Sequence, residues 1–247
     1  MAEFDNRYAA QGSAGTQVGT REGIDAGLRS FMMSVYNYMG LGVAFTAIVT
    51  LFVMSNPALL AFSQNFFWLF FVATLAIGWF SPRLILGGNK VVAHAAYWGY
   101  AALWGMWIAP MIYSFFALDA GHLVFRAFAI AAVTFGGMSL FGYVTKKNLS
   151  AFGSFFVMAT IGLLVAIIVN MIFFQSELMS LITSCLVVLV FAGITAWETQ
   201  EIKQMYAMGD EANSGGGKAI FGAFMLYGSF VVMFIHILNI LGIMSND

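Results

Sequence analysis

Charge is what this sequence lacks most. Only 9% of its 247 residues are Asp, Glu, Lys or Arg, where an average soluble domain has roughly 25%. Ten cations and eleven anions are too few to cover a water-facing surface. The formal net charge of −1 comes without the clustered cations that phosphate contacts need, which excludes nucleic acid as a partner. A single cysteine, Cys185, excludes an internal disulfide and any Cys-based zinc site. No apolar run of the kind a cleaved secretory signal carries lies near Met1. No internal repeat of about 20–50 residues is visible either.

What is abundant is hydrocarbon. Hydrophobic residues make up 61% of the chain, with 26 Phe and six Trp, and the mean hydropathy is +0.88. Such a chain is an integral membrane protein. Crossing ~30 Å of lipid takes about 20 apolar residues per helix, and seven stretches qualify: 32–54, 64–81, 91–116, 123–143, 151–174, 178–198 and 219–243. The breaks between them are Ser55-Asn56-Pro57, Ser81-Pro82-Arg83 with Gly87 to Lys90, Asp119 to His122, Lys146-Lys147-Asn148, Gln175-Ser176-Glu177 and Glu201 to Lys218. The expected fold is all-α, a polytopic bundle of seven transmembrane helices over 31–247, preceded by a flexible polar tail over 1–30.

Charge placement orients that bundle. Arg7, Arg21, Arg29, Arg83, Lys90, Lys146, Lys147, Lys203 and Lys218 all fall on one side if the helices alternate, and Arg126 alone falls on the other. The positive-inside rule then predicts a cytoplasmic N-terminus and an external C-terminus. Small residues, Gly40 and Gly42 in the first span and Gly136, Gly137, Ser139 and Gly142 in the fourth, are read as sites of close helix approach.

Several membrane chemistries fail for want of a residue. All five lysines lie in loops or at helix ends, so a retinal Schiff base has no anchor. Ser154 starts the fifth span on the inner side while His236 lies in the outer half of the seventh, too far apart for a serine nucleophile and its base. The histidines His94, His122 and His236 are not at matched depth for haem. Gly215-Gly216-Gly217-Lys218 lacks the first glycine of a phosphate loop, and Ala219 stands where a magnesium-holding hydroxyl belongs. No cofactor is expected, and no enzymatic activity.

The remaining chemistry lies in polar side chains at membrane depth, which are costly there and normally paired. At ~1.5 Å per residue, Glu198 is roughly 7–8 Å deeper than Lys203. Asn37 and His94 sit at a comparable depth, and Arg83 can reach back to it, so an inner polar layer of Glu198, Arg83, His94 and Asn37 is expected. Asn170, His236 and Asn239 form a second group nearer the outside, expected to hydrogen-bond between helices. Asp119 with Arg126 reads as a surface ion pair of little energetic weight.

At Glu198 a resemblance emerges. Phe141-Gly142-Tyr143, Lys146 to Leu149, Gly153, Ile161-Gly162-Leu163 and Asn170, followed by Thr195-Ala196-Trp197-Glu198-Thr199-Gln200-Glu201-Ile202-Lys203, resemble the Bax inhibitor / YccA (TMBIM) family, bacterial type. The last segment is similar to that family's Asp-Thr-Gln-x-Ile motif. The resemblance implies a seventh helix surrounded by the others and a pH-sensitive calcium leak. It implies a proton sensor of two aspartates, one in the sixth span and one in the seventh, beside a second-span arginine. By position Glu198 takes the first carboxylate, Arg83 the arginine, and Ser229 stands where the second aspartate belongs. Two carboxylates sharing a site titrate as a coupled pair; a Glu198–Ser229 pair does not. The expectation is therefore a passive cation leak in the bacterial inner membrane, binding calcium weakly and transiently. Glu198 would be ionised and paired with Arg83 at neutral pH, and acid would release the pair. The alternative is a non-conducting adaptor that binds a membrane-bound AAA protease or another membrane protein.

Overall fold

The computed structural model describes the backbone over residues 5–207 and 215–245, and side chains over 26–206 and 217–245. Helix α1 (Asp5–Ser55) contains the first span, Ala26–Ser55. The polar tail expected over 1–30 thus lies almost wholly outside the residues whose side chains are described. A short α2 (Pro57–Asn65) precedes α3 (Phe67–Leu86), α4 (Lys90–Ala117), α5 (Gly121–Val144), α6 (Gly153–Val169), α7 (Glu177–Ala207) and α8 (Gly215–Ser245). Among the described residues seven helical segments are long and apolar enough to cross a membrane, α6 counting with its flanking turns as Ser150–Phe174. The protein is an all-α polytopic membrane protein.

The breaks follow local chemistry. Asn56 Oδ1 accepts from the backbone N–H of Ala58 (3.0 Å) and Leu59 (3.3 Å), while Pro57 occupies the first helical position, where its missing N–H costs nothing. Asn89 caps α4 in the same way, with Gly88 at φ +83° before it. Between α6 and α7 a π-turn over Asn170–Phe174 ends at Gln175 in the left-handed region (φ 47°). One break falls elsewhere than the sequence suggests: Pro82 lies inside α3 and not at its end. Proline removes one hydrogen bond from the ladder, but in an apolar span the remaining backbone groups have no other partners and the helix continues. Arg83 consequently sits on the last turn of α3, exposed.

Helix α8 is the axis of the bundle. It packs against α7, α1, α5, α3 and α4, and Ala219, Ala223, Leu226, Tyr227, Met233 and Leu238 are almost fully enclosed. Helix α6 is the opposite extreme: among the spans it leans on α7, and 6% of its most apolar window is buried against 67% for α8. Close approach is made by only some of the expected glycines. A Cβ on Gly142 would lie 2.2 Å from the Ala196 carbonyl oxygen, so α5 and α7 touch backbone to backbone there. Gly42 is similarly filled by the Tyr97 hydroxyl, whereas Gly40, Gly136 and Gly137 have nothing within 4 Å. Helical rotation turns those three away from the contact.

Candidate functional site

The segment around Glu198 lies on α7, and helical geometry distributes its side chains to different neighbours. Glu198, 9% exposed, turns to α8, where the Ser229 hydroxyl donates to its Oε2 at 2.7 Å. Thr199 turns to α5: its hydroxyl donates to the Thr195 carbonyl (2.8 Å) and meets Ser139 Oγ at 3.0 Å, which in turn meets the Tyr36 hydroxyl of α1. Gln200 closes the α5–α6 loop. Its Oε1 accepts from the Leu149 N–H (2.7 Å) and its Nε2 donates to the Lys147 carbonyl (2.9 Å). Lys203 donates to the Tyr143 carbonyl at 3.1 Å and lies over the Tyr143 ring. Ile202, one turn beyond Glu198, is fully buried in the core.

Glu198 and Ser229 form the foot of a cavity of about 980 Å³ between α3, α4, α6, α7 and α8. One face of α8, Met225, Gly228, Val232, Ile235 and Asn239, runs along it. Its other end, at the α6–α7 turn, is polar. There His236 Nδ1 meets Ser184 Oγ at 3.0 Å, and Asn239 Nδ2 donates to Ser180 Oγ and Ser184 Oγ, each at 2.9 Å. Asn170 spans the turn, donating to the Ser176 carbonyl and accepting its N–H, both at 3.1 Å. The outer group expected from the sequence lines the cavity's rim in two separate sets: His236 and Asn239 tie α8 to α7 as expected, whereas Asn170 clamps the α6–α7 turn and bonds to neither of them.

The expected inner layer does not assemble. Among the described residues no Lys, Arg or His nitrogen lies within 4.0 Å of the Glu198 carboxylate. Arg83 and Asn37 are exposed, and His94 is half-buried beside the Tyr38 ring, 5.7 Å between centroids. The physical reason is the continuation of α3 through Pro82, which leaves Arg83 on the outer surface of its last turn. Asp119 and Arg126 likewise form no ion pair within 4.0 Å. No group of three His, Cys, Asp or Glu able to hold a metal ion occurs among the described residues.

Comparison with known proteins bears on this arrangement. Residues 28–246 match the family described as inhibitor of apoptosis-promoting Bax1. The chain belongs to the Bax inhibitor family. Relatives include the uncharacterized protein RP147 of Rickettsia prowazekii, 36% identical over 88% of this chain and 91% of its own length. The uncharacterized protein YrjE of Lactococcus lactis is 35% identical over 90% and 94% respectively. Inner membrane protein YbhL of Escherichia coli K12 is 32% identical over 88% and 93%.

For this Bax inhibitor family chain, the structure adds residues that sequence reasoning passed over. Ser180 and Ser184 complete the rim, and Tyr100 lines the cavity close to its foot. A Cβ on Gly228 would lie 3.6 Å from the Tyr100 hydroxyl, which places that phenol one residue from Ser229. Serines and tyrosines are ordinary in any span, so nothing in their type or spacing marks them. Below the foot, towards the lysine-rich end, Leu226, Tyr227, Ala223 and Ile220 are packed without exposure, and the Tyr227 hydroxyl meets Thr46 Oγ1 at 2.7 Å. On α8 the lining of the cavity ends at Phe224 and Met225, about a turn past Ser229, and this packed layer closes it.

Proposed function

We propose that this protein is a passive, pH-modulated leak for cations, calcium among them, across the bacterial inner membrane, with Glu198 as the ionisable element at the closure. The observation that carries the proposal is the cavity, which runs from a polar rim at one end of the bundle to a buried carboxylate on the central helix contact. A single carboxylate with hydroxyl neighbours offers a passing cation one charged stop and no cage, in keeping with weak, transient binding of calcium, which prefers six to eight oxygens when held. The Bax inhibitor resemblance and the name of the relative YbhL support the membrane assignment. The lysine and arginine distribution supports a cytoplasmic N-terminus, so that the polar rim of the cavity faces outward. No catalysed reaction is part of the proposal.

The closure is the Glu198–Ser229 hydrogen bond between α7 and α8 and the packed layer beneath it, in place of the Arg83 pair the sequence suggested. Protonation changes the charge at that junction, and the gap to the other side has to open through movement of α7 against α8. Calcium uptake into liposomes containing the purified protein, measured across pH, tests the reading. Wild-type flux is expected to follow a single-proton curve, and Glu198→Gln to make flux independent of pH. A Glu198→Gln protein that keeps the wild-type profile puts the gate elsewhere. Absence of flux at every pH supports instead the adaptor reading, in which a membrane-bound AAA protease or another membrane protein is the partner.

A further inference from the structure

We propose that the cavity is a binding site for a hydrophobic organic cation that enters from the bilayer. One wall is a continuous aromatic ladder. Ring centroids are 4.6 Å apart between Phe224 and Tyr100, 6.1 Å between Tyr100 and Trp104, 5.2 Å between Trp104 and Trp107, and 5.4 Å between Trp107 and Phe71. All five side chains line the cavity, and so does Glu198 at its foot. Tyr100, Trp104 and Trp107 stand at i, i+4 and i+7 and so share one face of α4. Aromatic faces attract cations, quaternary ammonium groups above all, and the attraction grows where water is excluded.

The charge at the foot selects the same sign. Among the described residues Glu198 has no cationic nitrogen within 4.0 Å, and Ser229 is its one hydrogen-bond donor. A buried charge without a partner is costly, and a bound cation supplies that partner. A neutral hydrocarbon leaves the carboxylate unused, and an anion is repelled by it. A gap in the cavity wall adds a route for ligands carried in the bilayer. Helix α3 packs on α4 and α8, and α6 among the spans packs on α7, while both α3 and α6 line the cavity, so the gap between them faces lipid. A strongly hydrated ion does not travel through hydrocarbon, but an apolar organic cation does. The volume of about 980 Å³ lies at the upper end of the roughly 300–1,000 Å³ of small-molecule sites. A partner's helix about 10–12 Å across and ~30 Å long would need far more. The site needs only the cavity and its carboxylate, and holds whether or not the path conducts calcium.

The test compares two ions of nearly equal size and apolar surface but opposite charge, tetraphenylphosphonium and tetraphenylborate. Equilibrium dialysis against the purified full chain in a nonionic detergent measures binding directly, with no flux readout. Saturable binding of tetraphenylphosphonium at least tenfold tighter than that of tetraphenylborate is expected. Glu198→Gln should abolish the preference, and Glu201→Gln, which lies off the cavity, should keep it. Equal binding of the two ions, as in a cavity that takes any hydrocarbon or lipid tail, overturns the proposal, and so does a preference that survives Glu198→Gln. Should Glu198→Gln protein fail to fold, Trp107→Leu leaves the carboxylate in place and is expected to weaken tetraphenylphosphonium at least threefold. Unchanged binding in that variant overturns the proposal as well.

Discussion

Ser229 is the residue on which the closure turns, because among the described residues it is the one side chain that hydrogen-bonds Glu198 across the α7–α8 contact. Removing its hydroxyl leaves a buried acceptor unsatisfied, at a cost of about 1–3 kcal/mol. Ser229→Ala is therefore expected to lower the thermal unfolding midpoint in detergent by several degrees. A midpoint equal to wild type would mean that the contact holds without the bond. Ser229→Asp places a second carboxylate within hydrogen-bond reach of the first, and such pairs lose their protons in two coupled steps. The pH profile of flux is expected to broaden from one step into two in liposomes. A profile that stays single-step separates Ser229 from the sensor. The motif residues beside Glu198 are structural by comparison: Thr199 joins α7 to α5, and Gln200 holds a loop.

At the scale of elements, two kinds of contact hold the helices in place. The first is backbone proximity between α5 and α7 at Gly142. A methyl there collides with the backbone of Ala196, which cannot swing aside, so Gly142→Ala is expected to destabilise by more than about 2 kcal/mol. Gly137→Ala, with open space around it in the interior of α5, should be neutral or stabilising by up to about 1 kcal/mol. Denaturant titration in detergent of the two variants together checks the pair. Equal stabilities would deny the contact. The second is the Gln200 clamp on the exposed Lys146-Lys147 loop. Gln200→Leu frees the Leu149 N–H and the Lys147 carbonyl, and trypsin should cut after Lys146 or Lys147 markedly faster than in wild type. Unchanged cleavage would show that the loop is held by something else. The clamp also explains why Lys146 to Leu149 and Gln200, 51 residues apart for the Leu149 bond, belong to one recognisable pattern. The sequence shows the pattern, but only the fold shows that they touch.

For the whole molecule, orientation is the quantity that charge alone supplies. Nine of the ten Lys and Arg fall on one side of seven alternating spans. A reporter active only in the cytoplasm, fused after Asp247, is therefore expected to be silent, and activity there would reverse the assignment. The seven spans, their rough limits and the family are legible without coordinates, because hydropathy acts locally and each span needs the same length of apolar chain. The link between Glu198 and Ser229 is legible too, through a motif position and not through any physical signal in the serine. The cavity is not. Its aromatic wall is drawn from α3, α4 and α8, and aromatic residues are so common here, 17% of the chain, that no spacing singles these out.

What the sequence determined by itself is the solvent of each segment: too little charge for water, enough hydrocarbon for seven crossings, and cations gathered at one end. What only the tertiary structure decided is which polar side chains meet. Arg83, Asn37 and His94 have the right depth for Glu198, yet depth is one coordinate of three. The rotation of α3 past Pro82 carries Arg83 to the surface, and Asn37 is exposed on α1. Ser229 meets the carboxylate because α8 runs through the centre of the bundle and presents that face to α7. Helix rotation and packing against non-local neighbours set those angles, and a hydropathy pattern this uniformly apolar carries little information about them.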